Sequence, residues 1–178
     1  RCSYCRFATF TNFDDLKISL YVDFLCESIK LRTGLEKLSL QSVYFGWWTP
    51  STLSIFQIKK ILDTLKEVYI FLPDIEITFE TTPQNISLWN LKTWSELWIN
   101  RISTWIQSLN PQTLNEIGRI TKKEIFEKLS FLSHWPIDNI ALDFIIGLPY
   151  TKPWELSQNI SHIIEKYPSI KHISVYML

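Results

Sequence analysis

Apolar residues along this chain recur with two alternating periods. Leu16, Leu20, Phe24, Leu25 and Ile29 fall on one face of a 3.6-residue repeat, which predicts a helix over residues 16–31. Ser42-Val43-Tyr44-Phe45 is a short apolar run that stops at Gly46, as a strand does. Ile55, Ile58, Ile61, Leu62 and Leu65 mark a second amphipathic helix, and Ile75-Glu76-Ile77-Thr78-Phe79-Glu80 then alternates with period two. The exchange continues with helical patterns over 88–97, 122–132 and 154–166. Between and after them come strand patterns over 101–106, 139–146 and 172–177. Such alternation predicts an α/β fold with a parallel sheet and right-handed crossovers, either doubly wound or closed into a barrel. No linker or repeat interrupts it, so residues 1–178 read as one domain.

Charge narrows the partners rather than the fold. Eighteen basic and eighteen acidic residues cancel, which removes any whole-chain attraction to nucleic acid or an anionic membrane. A single-stranded nucleic-acid module would need a basic groove beside its aromatics, and the chain has no run of Lys or Arg. No apolar stretch approaches the roughly 20 residues of a membrane span, and the N-terminus lacks the pattern of a signal peptide. These features predict a cytoplasmic protein with no transmembrane segment and no nucleic-acid partner. Three cysteines, Cys2, Cys5 and Cys26, are too few and too uneven for a secreted disulfide framework. Cys26 lies in an apolar helical stripe and reads as core, whereas Cys2-Ser3-Tyr4-Cys5 suggests a metal; a small zinc protein would require a second ligand pair, and none follows with zinc spacing.

In barrels of this kind chemistry gathers at the C-terminal ends of the strands. The pattern places Gly46 to Pro50, Glu80, Gln107 and Asp143 at such ends, with Arg119 on the segment after the third strand. Two carboxylates, an amide and a guanidinium on one rim suit a small zwitterionic ligand. Each taken alone would equally serve to satisfy a loop backbone.

Five ordered segments carry a resemblance. They are Cys2-Ser3-Tyr4-Cys5-Arg6-Phe7, Phe45-Gly46-Trp47-Trp48-Thr49-Pro50-Ser51, Ile77-Thr78-Phe79-Glu80, the stretch from Asn100-Arg101 through Gln107-Ser108 to Gly118-Arg119, and Leu142-Asp143-Phe144-Ile145-Ile146-Gly147-Leu148-Pro149. Together they resemble the radical S-adenosylmethionine enzymes, and within them the oxygen-independent coproporphyrinogen III oxidase family with its haem-chaperone branch. The resemblance implies a partial (βα)6 TIM-like barrel. It also implies a [4Fe-4S] cluster held by a Cys-x3-Cys-x2-Cys loop, since soft thiolates suit iron and three of them leave one site open.

Cys2 and Cys5 match the second and third cluster ligands. The first would lie four residues before Cys2, so the chain reads as a radical S-adenosylmethionine core domain truncated at both ends, with the first barrel strand missing. By the same resemblance Tyr4 would lie against adenine. The turn at Gly46, Trp47, Trp48 and Thr49 would meet the methionine amino group, and Glu80, Gln107, Arg119 and Asp143 would contact the methionyl and ribose parts. Reductive cleavage of S-adenosylmethionine to a 5'-deoxyadenosyl radical is the chemistry implied.

Phe7 stands where the dehydrogenases place a further cysteine, which favours the haem-chaperone branch over a coproporphyrinogen dehydrogenase acting by oxidative decarboxylation. The implied partners are haem or a porphyrinogen and, for a chaperone, haem-acceptor proteins. His134, His162 and His172 read as surface residues rather than axial ligands.

Composition then adds one anomaly. Eight tryptophans accompany only four glycines, where about 7% usage would give roughly a dozen glycines. The related sequences carry glycine where this chain has Trp47, Trp48, Trp98 and Trp105, and Trp135 and Trp154 fall near expected turn glycines. Either the indoles fill a remodelled pocket or UGA codons for glycine have been translated as tryptophan.

Overall fold

The computed structural model describes residues 4–5, 14–32, 37–46, 49–133 and 137–178, so Cys2, Trp47, Trp48, His134 and Trp135 lie outside the described residues. Within them the elements run α1 (Asp15–Leu31), β1 (Ser39–Phe45), α2 (Ile55–Val68), β2 (Ile70–Thr81), α3 (Leu88–Glu96), β3 (Arg101–Gln107), α4 (Pro111–Glu116), α5 (Lys122–Ser133), β4 (Asn139–Ile146), α6 (Pro153–Lys166) and β5 (Ile170–Met177). Every helix and strand the periodicity predicts is present. The strands β1 and β2 begin earlier than their apolar runs, and the six-residue α4 was not visible as a pattern.

All five strands are parallel, and their spatial order is their chain order, β1-β2-β3-β4-β5. A doubly wound sheet needs a reversal of that order. Its absence leaves the barrel alternative, and the described residues form a five-stranded half-barrel. Right-handed crossovers that always step in one direction put every helix on the same side.

Strand alternation follows from that sidedness. Phe45, Ile77, Phe79, Ile102, Thr104, Ile106, Ile140, Leu142 and Phe144 are buried on the outer, helix-covered face. All of these but Thr104 join Val22, Cys26, Ile58, Leu62, Leu91, Trp94, Ile125, Leu129 and Ile163 of the helices in one core. Phe79 sits at its centre, its ring centroid 5.7 Å from Phe45 and 5.0 Å from Trp94. The intervening strand residues, among them Tyr44, Glu76, Thr78, Glu80, Arg101, Ser103 and Asp143, line the concave face. Near the N-terminal ends of the strands, Arg101 donates to Thr78 at 3.1 Å and lies 3.9 Å from Glu76, which also accepts from Asn139 at 3.4 Å.

Local signals set the helix ends. Asp14, Ser54, Ser87 and Asn110 accept from backbone N–H groups in the first turns of α1 to α4, and Ser54 with Gln57 completes a capping box. At their C-termini α3 and α4 close with the same hydrogen-bonded motif. In α4, Gly118 N–H donates to Asn115 C=O at 3.2 Å and Arg119 N–H to Leu114 C=O at 2.8 Å, with Gly118 at φ 68°. In α3, Trp98 N–H donates to Ser95 C=O at 3.0 Å and Ile99 N–H to Trp94 C=O at 3.1 Å, with Trp98 at φ 72°. Both are Schellman caps, whose left-handed residue is normally glycine. In the second copy that residue is Trp98, 62% exposed, with Lys66 Nζ 4.3 Å from its ring centroid.

The two caps make opposite predictions. A left-handed non-glycine residue costs about 1–2 kcal/mol, only partly offset by a cation–π contact of about 0.5–1 kcal/mol. Trp98→Gly is therefore expected to raise stability by about 1 kcal/mol, or about 2–4 °C in Tm. Gly118→Ala, where an added Cβ meets nothing within 4 Å, is expected to lower it by about as much. Thermal unfolding of the two variants checks both signs; a loss of stability in Trp98→Gly contradicts the assignment.

Candidate functional site

The concave face carries a chain of alternating donors and acceptors across four neighbouring strands. Tyr44 on β1 donates its hydroxyl to Glu80 Oε1 on β2 at 2.8 Å. Ser103 on β3, the register partner of Glu80, donates its hydroxyl to Asp143 Oδ2 on β4 at 3.0 Å. Asp143 and Ser103 are buried, Glu80 is half-buried, and the Tyr44 ring is largely exposed. Burial of its hydroxyl end, and next the hydrogen bond to Glu80, push the Tyr44 phenol well above its ordinary range, with Ser103 partly opposing. Tyr44 is thus held as a neutral donor.

Gly46 makes this arrangement possible. A Cβ there would collide with Cε1 of Tyr44 and come within 3.0 Å of Glu80 Oε1, so only glycine lets the Tyr44 ring lie back across the strand end. Just beyond, Thr49 has φ 48° and opens the 3-10 turn over Pro50–Thr52. For a β-branched residue this is a strained conformation.

Gln107, the last residue of β3, is strained as well. Its φ is 66°, and Ser108 N–H reaches back to Ile106 C=O at 2.9 Å, forming a tight γ-turn around it. The side chain is buried, yet its Oε1 has no hydrogen-bond partner, and the same is true of Arg119 Nε. Buried polar atoms are normally paired, and backbone strain concentrates at ligand sites. Gln107 lines a pocket of about 150 Å³ together with Ser108, Asn110, Gly147, Lys152 and Glu155. Asn110 anchors it by donating to Tyr150 C=O at 2.9 Å and to Glu155 at 3.3 Å. Its volume is below the roughly 300–1,000 Å³ of a complete ligand site, so it can hold only part of a nucleoside-sized molecule.

The sequence placed Gly46, Thr49, Glu80, Gln107, Asp143 and Arg119 near strand ends. Gly46, Glu80 and Asp143 come together through Tyr44 and Ser103, and Gln107 ends β3 as expected. Asp143 differs: it lies in the interior of β4, four residues before Gly147, because β4 continues past the level of Glu80. Arg119 follows the glycine cap of α4 and makes no ion pair among the described residues. Tyr4 and Cys5 are half-buried, and the Cys5 thiol is not in a disulfide. Cys2, Trp47 and Trp48 lie outside the described residues, and no group of three metal-ligating side chains occurs among those described. His162 and His172 are exposed, His162 packing edge-on to Phe126 at 5.9 Å.

Tyr44 and Ser103 escaped the sequence reading. Their signal was present: strand alternation puts both on the same face as Glu80 and Asp143.

The residues present fit a ligand with an amino-acid end and ribose hydroxyls, since two carboxylates are oriented by hydroxyl donors and Gln107 Oε1 and Arg119 Nε are buried without hydrogen-bond partners.

Comparison with known proteins gives a consistent setting. The profile of the radical SAM superfamily matches residues 1–162. The heme chaperone HemW of Synechocystis sp. is 32% identical over 184 residues, covering 100% of this chain and 44% of its own length. HemW of Buchnera aphidicola from Acyrthosiphon pisum is 28% identical over 179 residues, covering 100% and 47%. Among solved structures, coproporphyrinogen III oxidase (HemN) from Escherichia coli, a radical SAM enzyme, superposes with a TM-score of 0.76 at 25% identity, covering 90% of this chain and 37% of that one. The chain thus spans about half the length of the heme chaperones it matches.

The Tyr44 geometry is directly measurable. In a titration of 13C-labelled tyrosine, one phenol is expected to resist ionisation beyond the ordinary tyrosine value near about 10. Gly46→Ala, by driving the ring off Glu80 and toward water, is expected to return it to that range. Seven phenols titrating alike in the unmodified protein would contradict the arrangement.

Proposed function

Because the chain belongs to the radical SAM superfamily, we propose that it forms the S-adenosylmethionine-binding core of a [4Fe-4S] protein of haem metabolism, acting in the cytoplasm as a haem chaperone. Membership of the superfamily implies the cluster and S-adenosylmethionine. Haem, and acceptor proteins that receive it, belong to the proposal.

The observation that carries the proposal is a coincidence of position. The family match covers the two pre-oriented carboxylates together with Gln107 and Arg119, each of which has a buried side-chain polar atom without a partner. In this reading Cys2 and Cys5 supply thiolates to the cluster, and Tyr4 offers an aromatic face to adenine. Gly46, Thr49 and the residues between them meet the amino group. Arg119 binds the carboxylate of the methionyl end, its fork being suited to that geometry. Glu80, Gln107 and Asp143 accept from the ammonium or the ribose hydroxyls. When bound, the cluster supplies the electron that cleaves S-adenosylmethionine reductively. The protein's part is to hold the sulfonium ligand in one orientation and to keep water from the reacting end.

The matches to heme chaperones over the whole chain, together with Phe7 in place of a further cysteine, support the chaperone branch. The similarity to coproporphyrinogen III oxidase supports the shared core, and with it the alternative of a porphyrinogen dehydrogenase. Among the described residues no helix is long and apolar enough to cross a membrane.

Anaerobic reconstitution of the protein carrying its complete cysteine loop, with iron and sulfide, is expected to give a reduced [4Fe-4S] signal in electron paramagnetic resonance that shifts when S-adenosylmethionine is added. Cys5→Ala is expected to abolish it. A chaperone would in addition bind haemin and pass it to an apoprotein without releasing carbon dioxide from coproporphyrinogen III. Carbon dioxide release would move the protein to the dehydrogenase branch, and a colourless zinc complex would overturn both.

A further inference from the structure

The two carboxylates of the concave face do not stand alone. Tyr44, Glu80, Ser103 and Asp143 occupy four successive strands as donor, acceptor, donor, acceptor. Ser103 is the register partner of Glu80 yet gives its hydroxyl to Asp143, so each carboxylate is held by a hydroxyl from the strand before it. Tyr44 reaches across from the neighbouring strand and is free to do so only because residue 46 has no side chain. A carboxylate that must be fixed in one rotamer before binding saves its ligand the entropy of ordering it.

We propose that Tyr44 and Ser103 are positioning residues, holding Glu80 and Asp143 in the orientation in which they receive S-adenosylmethionine. Neither hydroxyl touches the ligand in this scheme; each acts through the carboxylate it bonds. The proposal rests on the reading that Glu80 and Asp143 contact that ligand, and its test separates the two.

Equilibrium binding of S-adenosylmethionine is measured for the full-length cluster-loaded protein and for Tyr44→Phe, Glu80→Gln and the double variant. Tyr44→Phe keeps the ring and loses only a hydrogen bond to a charged group, and is expected to weaken binding about tenfold with no matching fall in Tm. In the Glu80→Gln background the same change is expected to have little further effect, because the group through which Tyr44 acts is gone. Ser103→Ala with Asp143→Asn forms the parallel cycle. Tyr44→Phe binding as the unmodified protein does, while Glu80→Gln is impaired, overturns the positioning role and leaves the ligand contact standing. Equal losses in both backgrounds overturn it too. Unimpaired binding by Glu80→Gln removes the contact on which the proposal rests.

The backbone at residue 98 carries a separate conclusion. Two Schellman caps in one chain share their hydrogen bonds and their left-handed φ, 68° at Gly118 and 72° at Trp98. An indole in that position is strained, exposed and not required by the core, unlike Trp94, which is buried against Phe79. With eight tryptophans to four glycines in the chain, we infer that residue 98 is glycine in the protein as its source cell makes it, and that Trp98 is a UGA codon read in a code that gives tryptophan. Trp105 and Trp154 have no left-handed backbone, so this geometry speaks for position 98 alone. The codon and the mass of the native peptide spanning residue 98 decide the matter. UGA with a glycine mass supports the inference; UGG, or a tryptophan mass, overturns it.

Discussion

The structure depends on a sheet that can be covered on one side only. Parallel strands joined by right-handed crossovers in a single direction send all their helices to the same face. That face must then be apolar, and in Phe45, Ile77, Phe79, Ile102, Ile106, Ile140, Leu142 and Phe144 it is. A strand whose alternate positions serve the core has the intervening ones free for other work. Tyr44, Glu80, Ser103 and Asp143 are those positions. The chemistry of the concave face therefore follows from the packing of the convex one, because a one-residue slip in β2 or β4 would bury a carboxylate among helices.

The carboxylates nevertheless need local support. Burying Asp143 is tolerable because Ser103 bonds it, and Glu80 is fixed by a phenol that only a neighbouring glycine admits. At the C-terminal edge of the sheet the backbone takes over the same task. Thr49 and Gln107 both adopt left-handed φ without being glycine, a cost that ordinary loops avoid and that sites under functional constraint retain.

Much of this was legible in the residues. Periodicity located every strand and the long helices, since a stripe such as Ile55, Ile58, Ile61, Leu62 and Leu65 has no other stable use. It missed α4, whose six residues are too short to show a period and whose start is set by Asn110 and Pro111 instead. Glu80 and Gln107 were found at strand ends because apolar runs stop there. Asp143 was set at a rim although the strand pattern over 139–146 already ran three residues past it, as β4 does. Tyr44 was passed over because its ring reads as apolar in a pattern while its hydroxyl acts as a donor in space. The left-handed backbone of Trp98 had no signature in the hydropathy pattern; composition and the family resemblance, which puts glycine at this position, hinted at it.

One further consequence lies in the strand order. Because each strand pairs with the one before it in the chain, a nascent polypeptide leaving the ribosome always finds its next partner already made. Each completed strand presents an open edge, the following helix passes over the outer face, and the next strand closes on that edge. Nothing must wait for a distant segment to be synthesised, as the central strands of a doubly wound sheet do. The half-barrel can thus grow vectorially, unit by unit, and the loop-closure entropy of each addition is that of a single crossover rather than of the whole chain.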